Sequence, residues 1–189
     1  RTFSYHAMLN DSGIYVNHWR KGSSVPDVSK TETQLWFYYL AASYMNIGCE
    51  AFHLGQVELI GMNDPERIEW MGLLSKIREY ARQHARRNWV LLDAHVPYHA
   101  MVKDGVSLID FNSFPMRIKE IPEKPIEGEL QVNYLDALFK KSKACISPSG
   151  WSCESLPYLV EFDNYGRNNL PSQADTSSIF IWGWDEISW

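Results

Sequence analysis

The chain has 189 residues, enough for one domain with a substantial core. It is 45% hydrophobic and 22% charged, the balance of a globular protein, and its net charge of -5 without any Lys/Arg block argues against a nucleic-acid partner. No run reaches the ~18 consecutive apolar residues of a membrane helix, and no Gly-rich phosphate loop is present, so neither a membrane nor a nucleotide cofactor is expected.

Aromatic residues are abundant, with eight Trp, ten Tyr and eight Phe. Aromatic faces suit sugar rings, although they are equally good core material. Position 1 is Arg and no signal peptide is visible, so the chain reads as a processed product or a fragment, compatible with a secreted or periplasmic origin. It stops at "IWGWDEISW", directly after a strand-like run, which fits the same reading. The cysteines are Cys49, Cys145 and Cys153. Cys145 and Cys153 could pair and leave Cys49 over, but an odd count settles no compartment. There is no CxxC and no Cys/His zinc spacing.

In chain order, residues 1–28 are mixed, with a loop at "RKGSSVPDVSK". Ser29 and Glu32 form an S-x-x-E capping-box pattern, so a helix is expected from Thr31 to Asn46, apolar on nearly every face and largely buried, with Gly48 as its stop. Residues 49–61 read as a strand. Asp64 and Pro65 then open a helix whose Ile68, Met71, Leu74, Ile77 and Ala81 recur at helical spacing. A strand at 88–97 follows, giving a βαβ unit with parallel strands. Further on, Asp104-Gly105 is a turn, 106–115 a strand, 116–130 a Pro- and Glu-rich loop and 132–143 an amphipathic helix. Strands are expected at "ACIS", at "YLVEFDN" and in "SIFIWGWDEISW".

Residues i and i+2 of a strand share a face. Gln56 with Glu58, Asp93 with His95, Asp110 with Asn112, Glu161 with Asp163, and Trp182 with Trp184 and Glu186 all fall this way. In each run the apolar residues come first and the polar ones last. Any single pair could be a strand end meeting solvent. Together they predict a polar mouth at the carboxyl ends of parallel strands, where α/β proteins place their ligands.

The series "FHLGQVELIG", "VLLDAHVP", "LIDFNSFP", "LVEFDNYG" and "FIWGWDE" resembles successive strands of a glycoside-hydrolase-type TIM barrel, over about residues 31–189. The resemblance implies an α/β fold in which the chain is a single domain over 1–189, the C-terminal part of a (β/α) barrel with irregular later units, incomplete or a fragment. In the large retaining group of such barrels the acid/base follows the fourth strand and the nucleophile the seventh. With "YLVEFDN" as the seventh strand, Glu161 matches the nucleophile and Glu58 the acid/base. That group carries an adjacent Asn-Glu pair, whereas here Gln56 stands two residues before Glu58.

Three chemistries compete. A glycosidase needs two carboxyl groups, here Glu161 and Glu58, with Gln56, Asp93, His95, Asp110, Asn112 and Asp163 binding hydroxyls and Trp182 or Trp184 stacking on a ring. The expected partner is then a carbohydrate or another small polar ligand, with no cofactor. The alternative is a metal-dependent barrel enzyme of sugar isomerase or hydrolase type, using "DAH", His53, Glu161 and Asp163 as mixed O/N ligands. Against it, the chain has neither HxH nor HExxH, and no metal is expected. The third possibility is a barrel that binds glycans without catalysis. "SPSGWSCES" contains no GxSxG elbow.

Overall fold

A computed structural model describes residues 1–96, 101–121, 123–124, 128–130, 144–150, 152–154 and 158–163; for 114–120, 128–130, 153 and 158–163 it describes the backbone. Helix α1 spans Thr31–Asn46, followed by strand β1 (Ala51–His53), the short helix α2 (Val57–Ile60), helix α3 (Ile68–His84) and strand β2 (Leu91–His95). Strands β3 (Val102–Lys103), β4 (Val106–Ser107), β5 (Phe111–Glu120), β6 (Gly128–Leu130), β7 (Cys145–Ile146), β8 (Ser152–Cys153) and β9 (Tyr158–Asp163) complete the order.

These strands make two sheets. The larger runs β1-β2-β5-β6, with β9 also on β5, and the smaller runs β3-β4-β7-β8. β1, β2, β5 and β9 are mutually parallel, and β6 pairs antiparallel with the far end of β5. The expected TIM barrel is therefore overturned. Among the described residues no sheet closes on itself, and the fold is a small open α/β arrangement. The βαβ pairing of β1 and β2 forms as the sequence predicts, but a (β/α) barrel follows each strand with a helix, and β5 instead runs on into an antiparallel hairpin with β6. That hairpin occupies part of the stretch expected to be loop. The expected helix at 132–143 and the strand within 178–189 lie outside the described residues.

Local chemistry explains where the elements stop. The strand expected at 49–61 is only three residues long, because Gly55 turns the backbone to φ 72° and the chain coils into α2. The capping box does not form: Glu32 accepts from the Ser4 amide at 2.8 Å and pairs with Arg1 instead. Asp64 caps α3 from a distance, its two carboxylate oxygens accepting the amides of Ile68 (2.8 Å) and Trp70 (2.9 Å). The intervening turn, with Arg67 at φ 60°, delays the helix start to Ile68. The buried stripe is rotated accordingly. Trp70, Leu73, Leu74, Ile77 and Ala81 are inside, whereas Ile68 and Met71 are exposed. α1 is likewise less enclosed than expected, burying Thr33, Ala41 and Met45 while Leu35, Tyr39 and Tyr44 are exposed.

Both long helices pack on one face of the parallel sheet. Tyr44 of α1 lies against Phe52, Phe37 of α1 meets Trp70 of α3 edge-on, and Phe52, Leu92 and Ala94 point into this layer with Val90 and Val96. Along β2 burial alternates, with Leu92 and Ala94 fully buried and Leu91, Asp93 and His95 partly open on the opposite face. An N-terminal segment completes the core from one side. Its buried Asp27 accepts hydrogen bonds from Asn10 (2.9 Å), Asn63 (2.7 Å) and the Ser29 amide (2.9 Å).

Candidate functional site

β1, β2 and β5 run side by side with His53 paired to Asp93, Asp93 to Phe111, and His95 to Ser113. In a parallel ladder such partners share a face. His53, Asp93, His95 and Ser113 therefore gather on the side of the sheet away from α1 and α3, with His53 and His95 closing β1 and β2 and Ser113 near the start of β5. His53 Nδ1 lies 2.5 Å from Asp93 Oδ1, and the Ser113 hydroxyl donates to that same oxygen at 2.9 Å. The His53 and His95 rings stand 4.5 Å apart, tilted. Ser113 is fully buried, whereas the His53 side chain is 38% exposed, so the cluster has a rigid floor and an open rim.

The arrangement holds polar hydrogens and acceptors in a fixed pattern, but it is not a nucleophilic triad. Ser113 Oγ approaches His53 at Nδ1, 3.2 Å away, the same nitrogen that faces Asp93. A triad base must present its other nitrogen to the hydroxyl. Among the described residues no group of three or more His, Cys, Asp or Glu is arranged to hold a metal ion.

The sequence-derived candidates separate in space. Asp93 and His95 join the cluster. Asp110, two residues before Asn112, instead lies level with Leu92, on the helix side. There it accepts from Arg78 of α3 at 2.9 Å and from the Leu92 amide at 2.9 Å, and Ser149 donates its hydroxyl to the other oxygen. Asn112 pairs with Ala94 and so also faces the helices; it is fully buried, and among the described residues neither amide atom has a hydrogen-bond partner. Asp110 and Asn112 do share a face, as predicted, but it is the one opposite Asp93.

Gln56 and Glu58 were expected on one strand face. Gln56 instead precedes α2, with a buried Oε1 that has no hydrogen-bond partner among the described residues, and Glu58 sits in α2, 3.9 Å from Arg67. Glu161 and Asp163 are in β9, at the register positions of Pro115 and Arg117. Strand parity assigns both positions to the face that carries Ser113. Trp182 and Trp184 lie outside the described residues. A groove of about 530 Å³ between α1 and α3, lined by Leu35, Tyr38, Leu73 and Tyr80 among others, is formed by the helices, and none of its lining residues belongs to the cluster.

Two members were not singled out as binding residues from sequence. In the sequence His53 suggests only a metal ligand, and Ser113 lies on the strand parity opposite the more conspicuous Asp110 and Asn112. The signal was present in β2, whose apolar parity (Leu92, Ala94, Val96) fixes which face of a paired strand looks away from the helices. No protein-family model, curated protein or solved structure matches this chain.

Proposed function

We propose that the chain is a carbohydrate-active protein of glycosidase type, which binds its ligand on the sheet face carrying His53, Asp93, His95 and Ser113. The observation that carries the reading is the convergence of these four polar side chains from three adjacent parallel strands, with His53 and His95 at the carboxyl ends of β1 and β2, where α/β proteins place ligands. Sugar hydroxyls both donate and accept. Asp93 supplies acceptor capacity, His53 and His95 supply groups able to play either part, and the buried Ser113 holds Asp93 in place from below.

In this reading Glu161 is the nucleophilic carboxylate; Glu58, in the helix after β1 and so three strand spacings or about 14 Å from β9, is too far to be its acid/base partner. Glycoside hydrolysis takes two carboxyl groups ~5–5.5 Å apart for retention or ~6.5–9.5 Å for inversion. Asp93 is a poor partner for Glu161. By strand rise and spacing their backbones are about 16 Å apart, while Ser113 and Glu161 are about 8 Å apart. Asp93 therefore belongs to hydroxyl binding rather than to bond cleavage.

The test joins binding and turnover. Equilibrium binding across a glycan panel is expected to find a ligand whose affinity falls in Ser113→Ala, and Glu161→Gln is expected to retain that ligand while losing most aryl-glycoside hydrolysis. Hydrolysis by Glu161→Gln at the parent's rate rules out its role. Absence of any glycan ligand for the folded parent overturns the proposal.

A further inference from the structure

Cys145 and Cys153 are register partners across the antiparallel β7–β8 pair. Residues directly opposite in such a ladder have Cα atoms about 4.5–5.5 Å apart, within the roughly 4.4–6.8 Å that a disulfide spans. Ser149, in the turn between the two strands, donates its hydroxyl to the buried Asp110, so this hairpin helps to satisfy a carboxylate at the base of the main sheet. Cys49 is exposed and lies before β1, in another part of the chain.

We propose that Cys145 and Cys153 form a cross-strand disulfide that staples the β7–β8 hairpin, and so Ser149, against Asp110, and that it is made by exchange with a small-molecule disulfide such as oxidised glutathione. One cysteine thiolate attacks a sulfur of the small disulfide, whose S–S bond breaks as a mixed disulfide forms and one small thiolate leaves. The second cysteine thiolate attacks the protein sulfur of that mixed disulfide and displaces the other small thiolate. The two cysteines lose two electrons, the small disulfide is reduced to two thiols, and the two cysteine protons end on those thiols.

The full chain is incubated with oxidised glutathione, denatured and alkylated with N-ethylmaleimide without reductant. The expected result is one alkylated thiol of the three in the chain, at Cys49. Chymotryptic cleavage after Trp151 separates the two cysteines in sequence, and the fragments are expected to stay joined until reduced. Cys49→Ser is expected to give no alkylated thiol and the same joined fragments. Cys153→Ser is expected to leave glutathione on Cys145. Three alkylated thiols, a linkage through Cys49, or lasting glutathione adducts on both Cys145 and Cys153 of the parent would overturn the staple.

Discussion

Arg78 reaches from α3 into the sheet and meets Asp110 at 2.9 Å, while donating also to the carbonyls of Val90 (3.1 Å) and Leu108 (3.2 Å). Asp110 has no exposed surface, and Arg78 retains a little. Removing one partner of such a pair leaves a buried charge uncompensated, at a cost of about 3–5 kcal/mol. Asp110→Ala is expected to lower the unfolding free energy by that amount, read as a lower urea midpoint, while glycan affinity, measured where the variant is folded, stays within about twofold. An unchanged midpoint would show that the pair does not join helix to sheet.

Gly61 is required by space rather than by backbone angle. A Cβ built there would stand 2.9 Å from the Val57 carbonyl oxygen and 3.0 Å from Trp70 Nε1, the two atoms that share a 3.1 Å hydrogen bond. Neither is the end of a flexible side chain. Gly61→Ala is expected to destabilise by about 1–3 kcal/mol, read by thermal unfolding, although at its φ of -85° alanine would otherwise stabilise over glycine. A gain in stability would contradict this packing.

Asp27 should contribute to acid sensitivity. Burial pushes its pKa up, but hydrogen bonds from Ser29, Asn10 and Asn63 outweigh that and hold it below its ordinary value of 3.8. A carboxyl depressed on folding stabilises the protein above its unfolded pKa, and that contribution is lost as pH falls through the folded value. Between about pH 5 and about pH 2 the parent's urea midpoint is therefore expected to fall more steeply than that of Asp27→Asn. Parallel slopes would remove Asp27 from the acid response.

Asp93 gives the most direct test of the candidate site. Asp93→Asn keeps the shape and one acceptor oxygen for His53 and Ser113 but removes the negative charge and turns the second oxygen into a donor. Hydrogen bonds to a charged group are worth about 1.5–3 kcal/mol, so ligand affinity is expected to fall about 10- to 100-fold, with the circular dichroism spectrum unchanged. Affinity within a factor of two of the parent would move the ligand elsewhere.

Much of the first half was readable from sequence. Helix α1 has the expected bounds, the β1–α3–β2 unit is parallel, and Asp104-Gly105 turns the chain with φ of 52° and 78°. The errors came where one residue's tertiary partner decided the outcome. Asp110 looked like a mouth carboxylate because its partner, Arg78, is 32 residues earlier on a helix whose rotation sequence spacing set wrongly. Ile68 and Met71 fitted the helical period, but capping by Asp64 and the indole hydrogen bond of Trp70 turned the neighbouring stripe inward. Barrel closure was not readable at all. Five strands with late polar residues suit an open sheet as well as a closed one, since carboxyl-end chemistry is common to both.

The alternation along β2 has a consequence for folding. A slide of one residue between β1 and β2 would turn Asp93 and His95 into the layer now filled by Leu92 and Ala94, without the partners they have on the other face. The misaligned ladder would exchange apolar contacts for stranded charge, and would be abandoned before the helices could settle on it. The side chains offered here for ligand recognition thus also act as proofreaders of strand alignment, and a variant that replaces them with aliphatic residues gives the nascent sheet two alignments of similar energy instead of one.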